Sequence, residues 1–172
     1  MNENNAFSEE SLRKIAEQKV SFRFSVKIHL IVFILVNVLL IIVNLIFSPE
    51  FPWFVYPFFS WLIGFNMHAL AYILYARGVY PMAKRGVIYH INSFIFVMLF
   101  LFIINFLTFP MFYWAFFPAL FWGTAVILHI IFYIQYFSGN AEEGGKLRSR
   151  KEHAIEKELE KMKKKQERNQ KG

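Results

Sequence analysis

Polar side chains are confined to short stretches of this chain, and four long apolar segments run between them. The segments are roughly Ile28 to Phe47, Phe54 to Tyr75, Val87 to Phe109 and Phe116 to Phe137. Each is about 20 residues, which as an α-helix at about 1.5 Å per residue crosses about 30 Å of hydrocarbon. An aqueous surface cannot be built from such segments, but a lipid-facing one can. The links near Ser48 to Trp53 and Thr108 to Trp114 contain Pro49, Pro52 and Pro110. Proline lacks a donor and breaks the helical pattern, so each link predicts a tight hairpin. Pro57 falls in the first turns of the second span, where it is tolerated. The first run begins near Val26, behind a charged arm, and is too long for a cleavable leader. The fold class is therefore an all-α integral membrane protein.

The pattern repeats. Residues 28 to 78, shifted by 61, fall on residues 89 to 139 without a gap. His29 lands on His90, Asn44 on Asn105, Pro49 on Pro110, Trp53 on Trp114 and Trp61 on Trp122. His68 lands on His129, Tyr72 on Tyr133 and Gly78 on Gly139. Composition alone repeats apolar residues, but not His, Asn, Pro and Trp in one register. The chain reads as a tandem duplication of a helical hairpin.

Charge orients it. Hydrophobic residues are 56% of the chain and charged residues 18%, against about 25% charged in soluble domains. Residues 28 to 76 carry one charged side chain, Glu50, and residues 86 to 137 carry none. Arg13, Lys14, Lys19, Arg23 and Lys27 precede the first span, and Arg77, Lys84 and Arg85 lie in the middle loop. Eleven more basic residues follow Phe137, and the two hairpin tips have none. The positive-inside rule puts both termini and the middle loop in the cytoplasm. The tips face outward, with Phe51, Trp53, Phe54, Tyr56, Phe112, Tyr113, Trp114 and Phe116 as belt residues at headgroup level. Both hairpins start and end inside, so the repeat is parallel. The simplest arrangement is a four-helix bundle with a pseudo-twofold axis along the membrane normal. The domain organisation expected is an N-terminal arm (1–22), two transmembrane repeats (23–78 and 79–139) and a charged tail (140–172). No cysteine is present, so no disulfide or thiol chemistry is available.

Residues 8 to 20 read as a short helix, with Ser8 as cap and Glu9 and Glu10 in the first turn. Two readings stay open for it: a helix lying on the inner leaflet, or a continuation of the first span. A break from Ser138 to Gly145 precedes a Glu- and Lys-rich helix over 150–168, whose apolar positions are only Ile155, Leu159 and Met162. Lys161, Lys163, Lys164, Lys165 and Arg168 suit anionic lipid heads or a solvated face. No helix-turn-helix pattern or aromatic-basic strand accompanies them, which argues against nucleic acid as a partner.

Inside the spans the candidate polar cluster is His29, Asn37, Asn44, His68, Tyr72, His90, Asn105, His129 and Tyr133. All four histidines lie in the cytoplasmic halves of their spans. Four imidazoles at one level could hold a transition metal or ligate a haem iron, each could bond between helices near the interface, or they could handle a proton or substrate. Counted from Ser48 and Trp53, His68 sits about 6 Å deeper than His29 in an upright hairpin. Asn37 and Asn44 share a face that should look into the bundle, where amides can pair rather than meet lipid. The second copy keeps Asn105 but has Met98 in place of Asn37. Tyr72 and Tyr133 follow the histidines by four and suit either an interface anchor or a bond to the imidazole. Gly64 and Gly123 suggest close helix approach.

These residues resemble the bacterial 2TM domain family. In the first copy the matching string is His29, Val36-Asn37, Leu40, Asn44, Trp53-Phe54, Pro57, Trp61, Gly64 and His68-Ala69. In the second it is His90, Asn105, Trp114, Pro118, Trp122-Gly123 and His129. The resemblance implies a pair of membrane helices joined by a short linker, in a bacterial cell membrane, with no catalytic role to carry over. Members stand alone or are fused to sensor-kinase or transcription-regulator modules, and neither module occurs in this sequence.

Three functions compete at this point. The leading one is a non-enzymatic membrane protein with a structural, assembly or signalling-accessory role, meeting lipids and a membrane or cytoplasmic protein. A histidine-ligated haem or metal redox module is second, and a small transporter third. No paired carboxylates, Ser/His/Asp set or Cys nucleophile can be assembled, which argues against an enzyme.

Overall fold

The computed structural model describes residues 9–79, 82–137, 140–141 and 147–148, and positions 155, 157, 159, 160 and 162. Four helices carry the fold: α1 (Glu9–Phe47), α2 (Val55–Ala76), α3 (Met82–Thr108) and α4 (Phe116–Tyr136). All four are long and apolar enough to cross a membrane.

α1 is a single helix of 39 residues, about 58 Å long. The continuation reading of residues 8 to 20 is therefore the one that holds, from Glu9 onward. No Gly or Pro lies between Glu9 and Phe47 to interrupt it, and Glu9 and Glu10 occupy its first turn. Ion pairs one turn apart, Lys14 with Glu10 at 2.7 Å and Arg13 with Glu17 at 3.2 Å, lie on its surface. α2 ends differently. The N–H of Gly78 bonds the carbonyl of Tyr75, and that of Val79 bonds Leu74. This pair of hydrogen bonds closes the helix only if Gly78 turns left-handed, which it does, at φ 61°.

Successive helices are antiparallel. Tyr75 meets Gln18 and Phe54 meets Asn44 in the first hairpin. His129 meets His90 and Ala115 meets Asn105 in the second. Met67 meets Asn92 and Phe59 stacks on Phe100 between them. Glu9 and Tyr136 thus lie at one end of the molecule and both tips at the other.

The helices pack in chain order: α1 on α2, α2 on α3, α3 on α4. A closed bundle with a twofold axis would also pair α4 with α1, as it pairs α2 with α3. That fourth contact is not among the extended ones of the described residues. The bundle is open, with α1 and α4 at its ends. The reason lies in α2 and α3, whose two contact faces point in nearly opposite directions. Positions 58, 61, 65 and 68 of α2 meet α1, while 59 and 67 meet α3.

Few side chains are shielded. Phe33, Leu74, Val87, Met98, Ala115 and Val126 are the buried apolar residues. Most large apolar side chains are exposed, as expected where lipid is the solvent. After α4, Asn140–Ala141, inside the break expected from Ser138 to Gly145, pairs with Leu147–Arg148, just beyond it, in a two-residue antiparallel ladder. The described tail positions 155, 157, 159, 160 and 162 are helical, and Ile155, Leu159 and Met162 are exposed. The rest of the expected tail helix, with its lysine cluster, and the first eight residues lie outside the described residues.

Candidate functional site

The most buried polar side chains are two asparagines, Asn44 at 2% exposure and Asn105 at 1%. A helix end leaves backbone carbonyls without partners, and the next helix start leaves N–H groups without them. Near lipid these cannot all turn to water. One amide answers both needs. Asn44 Nδ2 donates to the carbonyls of Ser48 (2.6 Å) and Phe51 (3.0 Å), and its Oδ1 accepts from the N–H of Phe54 (3.1 Å). Asn105 repeats this in the second hairpin. It donates to Phe109 (2.9 Å) and Phe112 (2.8 Å) and accepts from Ala115 (2.9 Å). Asn44 is buried and its amide is paired, and the partners are backbone groups of the turn: both asparagines clasp the hairpin tips. Both amide hydrogens and the carbonyl are needed, which explains why the residue recurs as Asn.

Asn37 behaves otherwise. Its Nδ2 donates back to the carbonyl of Phe33 at 2.7 Å, while its buried Oδ1 has no partner. Met98 fills the same place in the second hairpin and is equally buried.

The four histidines form two pairs, one per hairpin. His29 and His68 lie with ring centroids 4.9 Å apart, and His90 and His129 at 5.1 Å. The difference in depth expected within each hairpin is absent. Depth has to be counted from the tip clasp, where Asn44 faces Phe54 and Asn105 faces Ala115. Counted that way, the stretch from His29 to Asn44 matches the stretch from Phe54 to His68 to within a single position. His90 and His129 stand in the same relation to Asn105 and Ala115.

The second pair has a fixed hydrogen-bond polarity. Trp122 Nε1–H can only donate, and it meets His90 Nε2 at 2.8 Å. His90 Nε2 is therefore the bare nitrogen. In the neutral ring the proton sits on Nδ1, which faces His129 Nδ1 at 2.8 Å. His129 Nδ1 must then accept, leaving its proton on Nε2. The first pair is tied differently. His29 Nδ1–H donates to the Ser25 carbonyl at 2.9 Å, and His68 Nε2 meets the Ser25 hydroxyl at 3.3 Å. Gly86 stands where Ser25 would be in the second copy, so no equivalent hydroxyl is offered there.

Each pair sits beside a repeated aromatic contact. Trp61 meets Phe33 edge-on at 5.9 Å and Trp122 meets Phe94 likewise at 5.8 Å. Phe22 covers His68 at 5.2 Å and Tyr72 at 5.6 Å. Tyr133 stacks on Phe137. Tyr75 bonds Gln18 at 2.8 Å. Ser25 escaped the sequence reading, although it lies one turn before His29. Of the two glycines, Gly123 alone marks a close approach. A Cβ there would sit 3.3 Å from Phe94, whereas one on Gly64 meets nothing within 4 Å.

The four imidazoles do not gather at one point. Among the described residues no three His, Asp or Glu side chains stand close enough to share a metal ion. The four-ligand metal or haem arrangement raised from the sequence is not formed by this geometry.

A family model described as 2TM domain matches the chain twice, over residues 14–77 and 82–160. No curated protein and no solved structure matches it.

Proposed function

The chain belongs to the 2TM domain family, as two tandem copies, and we propose that it is a non-enzymatic membrane scaffold that presents a helical rod to a cytoplasmic partner. It sits in a bacterial inner membrane with both termini inside. The charge pattern supports that orientation. Basic residues cluster before α1, between α2 and α3, and after α4, while the tips carry Glu50 and no basic residue.

The observation that carries the proposal is the length of α1. It runs unbroken for 39 residues, about twice what a hydrocarbon core of about 30 Å requires. Its first half extends past the membrane in register with the span and exposes Leu12, Val20 and Phe24. A helix anchored this way transmits position between the bilayer and whatever binds it, and it suits an assembly or signalling-accessory role. The basic tail emerges on the same side and adds attraction to the anionic inner leaflet.

A photo-crosslinking residue at Leu12 or Val20, introduced in cells, tests the reading. Discrete protein adducts from Leu12 and Val20, absent from a lipid-facing control at Leu45, are expected. Adducts to lipid alone at all three sites would contradict the scaffold.

A further inference from the structure

The two hairpins meet through unlike helices, the second helix of copy one and the first helix of copy two. Phe59 of α2 stacks on Phe100 of α3, with centroids 6.0 Å apart and planes at 12°. About two turns nearer the cytoplasmic end, Asn92 Nδ2 and the Ser93 hydroxyl both reach the Met67 sulfur, at 3.3 and 3.4 Å. A contact between unlike faces does not close on itself. It leaves one copy of each face free at the ends of the row.

Those free faces can be named from the register of the repeat. Leu120 and Leu128 on α4 stand where Phe59 and Met67 stand on α2. Leu39, Ile31 and Val32 on α1 stand where Phe100, Asn92 and Ser93 stand on α3. All five are exposed. We infer that the two faces meet in trans: α4 of one molecule packs against α1 of a second copy, continuing the α2–α3 step between chains.

Two observations favour this occupant. The inner faces of the hairpins are alike, with the same tip clasp and the same histidine pairing. Hairpin two of one molecule can therefore stand to hairpin one of the next as the hairpins stand to each other within the chain. The substitutions are also matched in kind. The aromatic pair becomes leucine on both sides, and the sulfur contact becomes aliphatic on both sides, so no polar group is stranded. Helices in lipid associate through such close packing rather than through a hydrophobic drive. This inference is independent of the cytoplasmic rod and its partner.

The absence of cysteine allows a clean test. Leu39→Cys and Leu120→Cys chains carrying different tags are co-expressed, and intact membranes are treated with a short bismaleimide. The mixed-tag adduct should exceed the self-adduct of either variant several-fold, because unlike faces meet. Phe59→Cys/Phe100→Cys in one chain serves as the control and should cross-link internally. A mixed adduct no stronger than the self-adducts would overturn the proposal. So would its absence while the control bridges, which would assign both faces to lipid.

Discussion

Replacing Asn105 by Leu should loosen the second hairpin at its tip. The substitution keeps the volume but removes two donors and one acceptor. It leaves the Phe109 and Phe112 carbonyls and the Ala115 N–H without their partner. A buried backbone group left unpaired costs about 1–3 kcal/mol. Side-chain hydrogen bonds in membrane proteins average about 0.6 kcal/mol when measured by double-mutant cycles. The tip is near the headgroups, so water reaches some of the freed carbonyls. Ala115, at 0% exposure, is the group least able to recruit it. The three losses together come to about 2–4 kcal/mol. Asn105→Asp keeps the acceptor and should fall between Leu and the parent. Asn44→Leu should cost somewhat less, because Phe54 is only half-buried. The two hairpins clasp separately, so the double variant should be additive within about 0.5 kcal/mol. Reversible unfolding in mixed micelles, followed by circular dichroism and tryptophan fluorescence, gives these numbers. A change below about 0.5 kcal/mol for Asn105→Leu would show that water already satisfies the tip, and the clasp argument would be wrong.

Asn37→Met, which copies the second hairpin, removes a buried carbonyl oxygen without a partner and should be neutral or stabilising by up to about 1 kcal/mol in the same titration; a clear loss would mean the oxygen is paired after all. Gly64→Ala should gain up to about 1 kcal/mol from helix propensity, while Gly123→Ala meets the Phe94 ring at 3.3 Å and should lose stability unless that ring turns. Reversal of the order between these two alanine variants would refute the packing described for α3 and α4. Nitrogen-15 NMR should find neutral His90 protonated at Nδ1, with Trp122→Phe admitting the other tautomer. A parent protein with the proton on Nε2 would contradict the Trp122 bond.

Much of the architecture was readable from the sequence because lipid imposes a simple rule. An apolar run just long enough to span the bilayer, closed by proline at each tip, has few other solutions. Position 44 shows where that reading stops. Periodicity places Asn44 on an inward face, but its partners are backbone groups of the turn, and backbone directions cannot be seen in a pattern of side chains. The histidine pairing has the same origin. Depth counted from Ser48 was misleading, because the turn offsets the two helices and only the Asn44–Phe54 bond fixes their register. Openness of the bundle was also hidden, since spans that are apolar all round carry no stripe to tell a helix-facing side from a lipid-facing one. The sequence marks Asn92, at the chain-specific junction with Met67, as an amide without a counterpart in the other copy, but such a difference gains meaning only once the faces in contact are known.

Four antiparallel spans put the two tips on one side of a membrane and Glu9, the link between α2 and α3, and Tyr136 on the other. Single cysteines at Pro52 and Met82 in the otherwise cysteine-free chain, challenged in intact cells with a membrane-impermeant maleimide, test this most directly. Labelling at position 52, with position 82 reached only after the membrane is opened, is the result expected. Labelling of position 82 in intact cells, or protection of position 52 there, would contradict the arrangement.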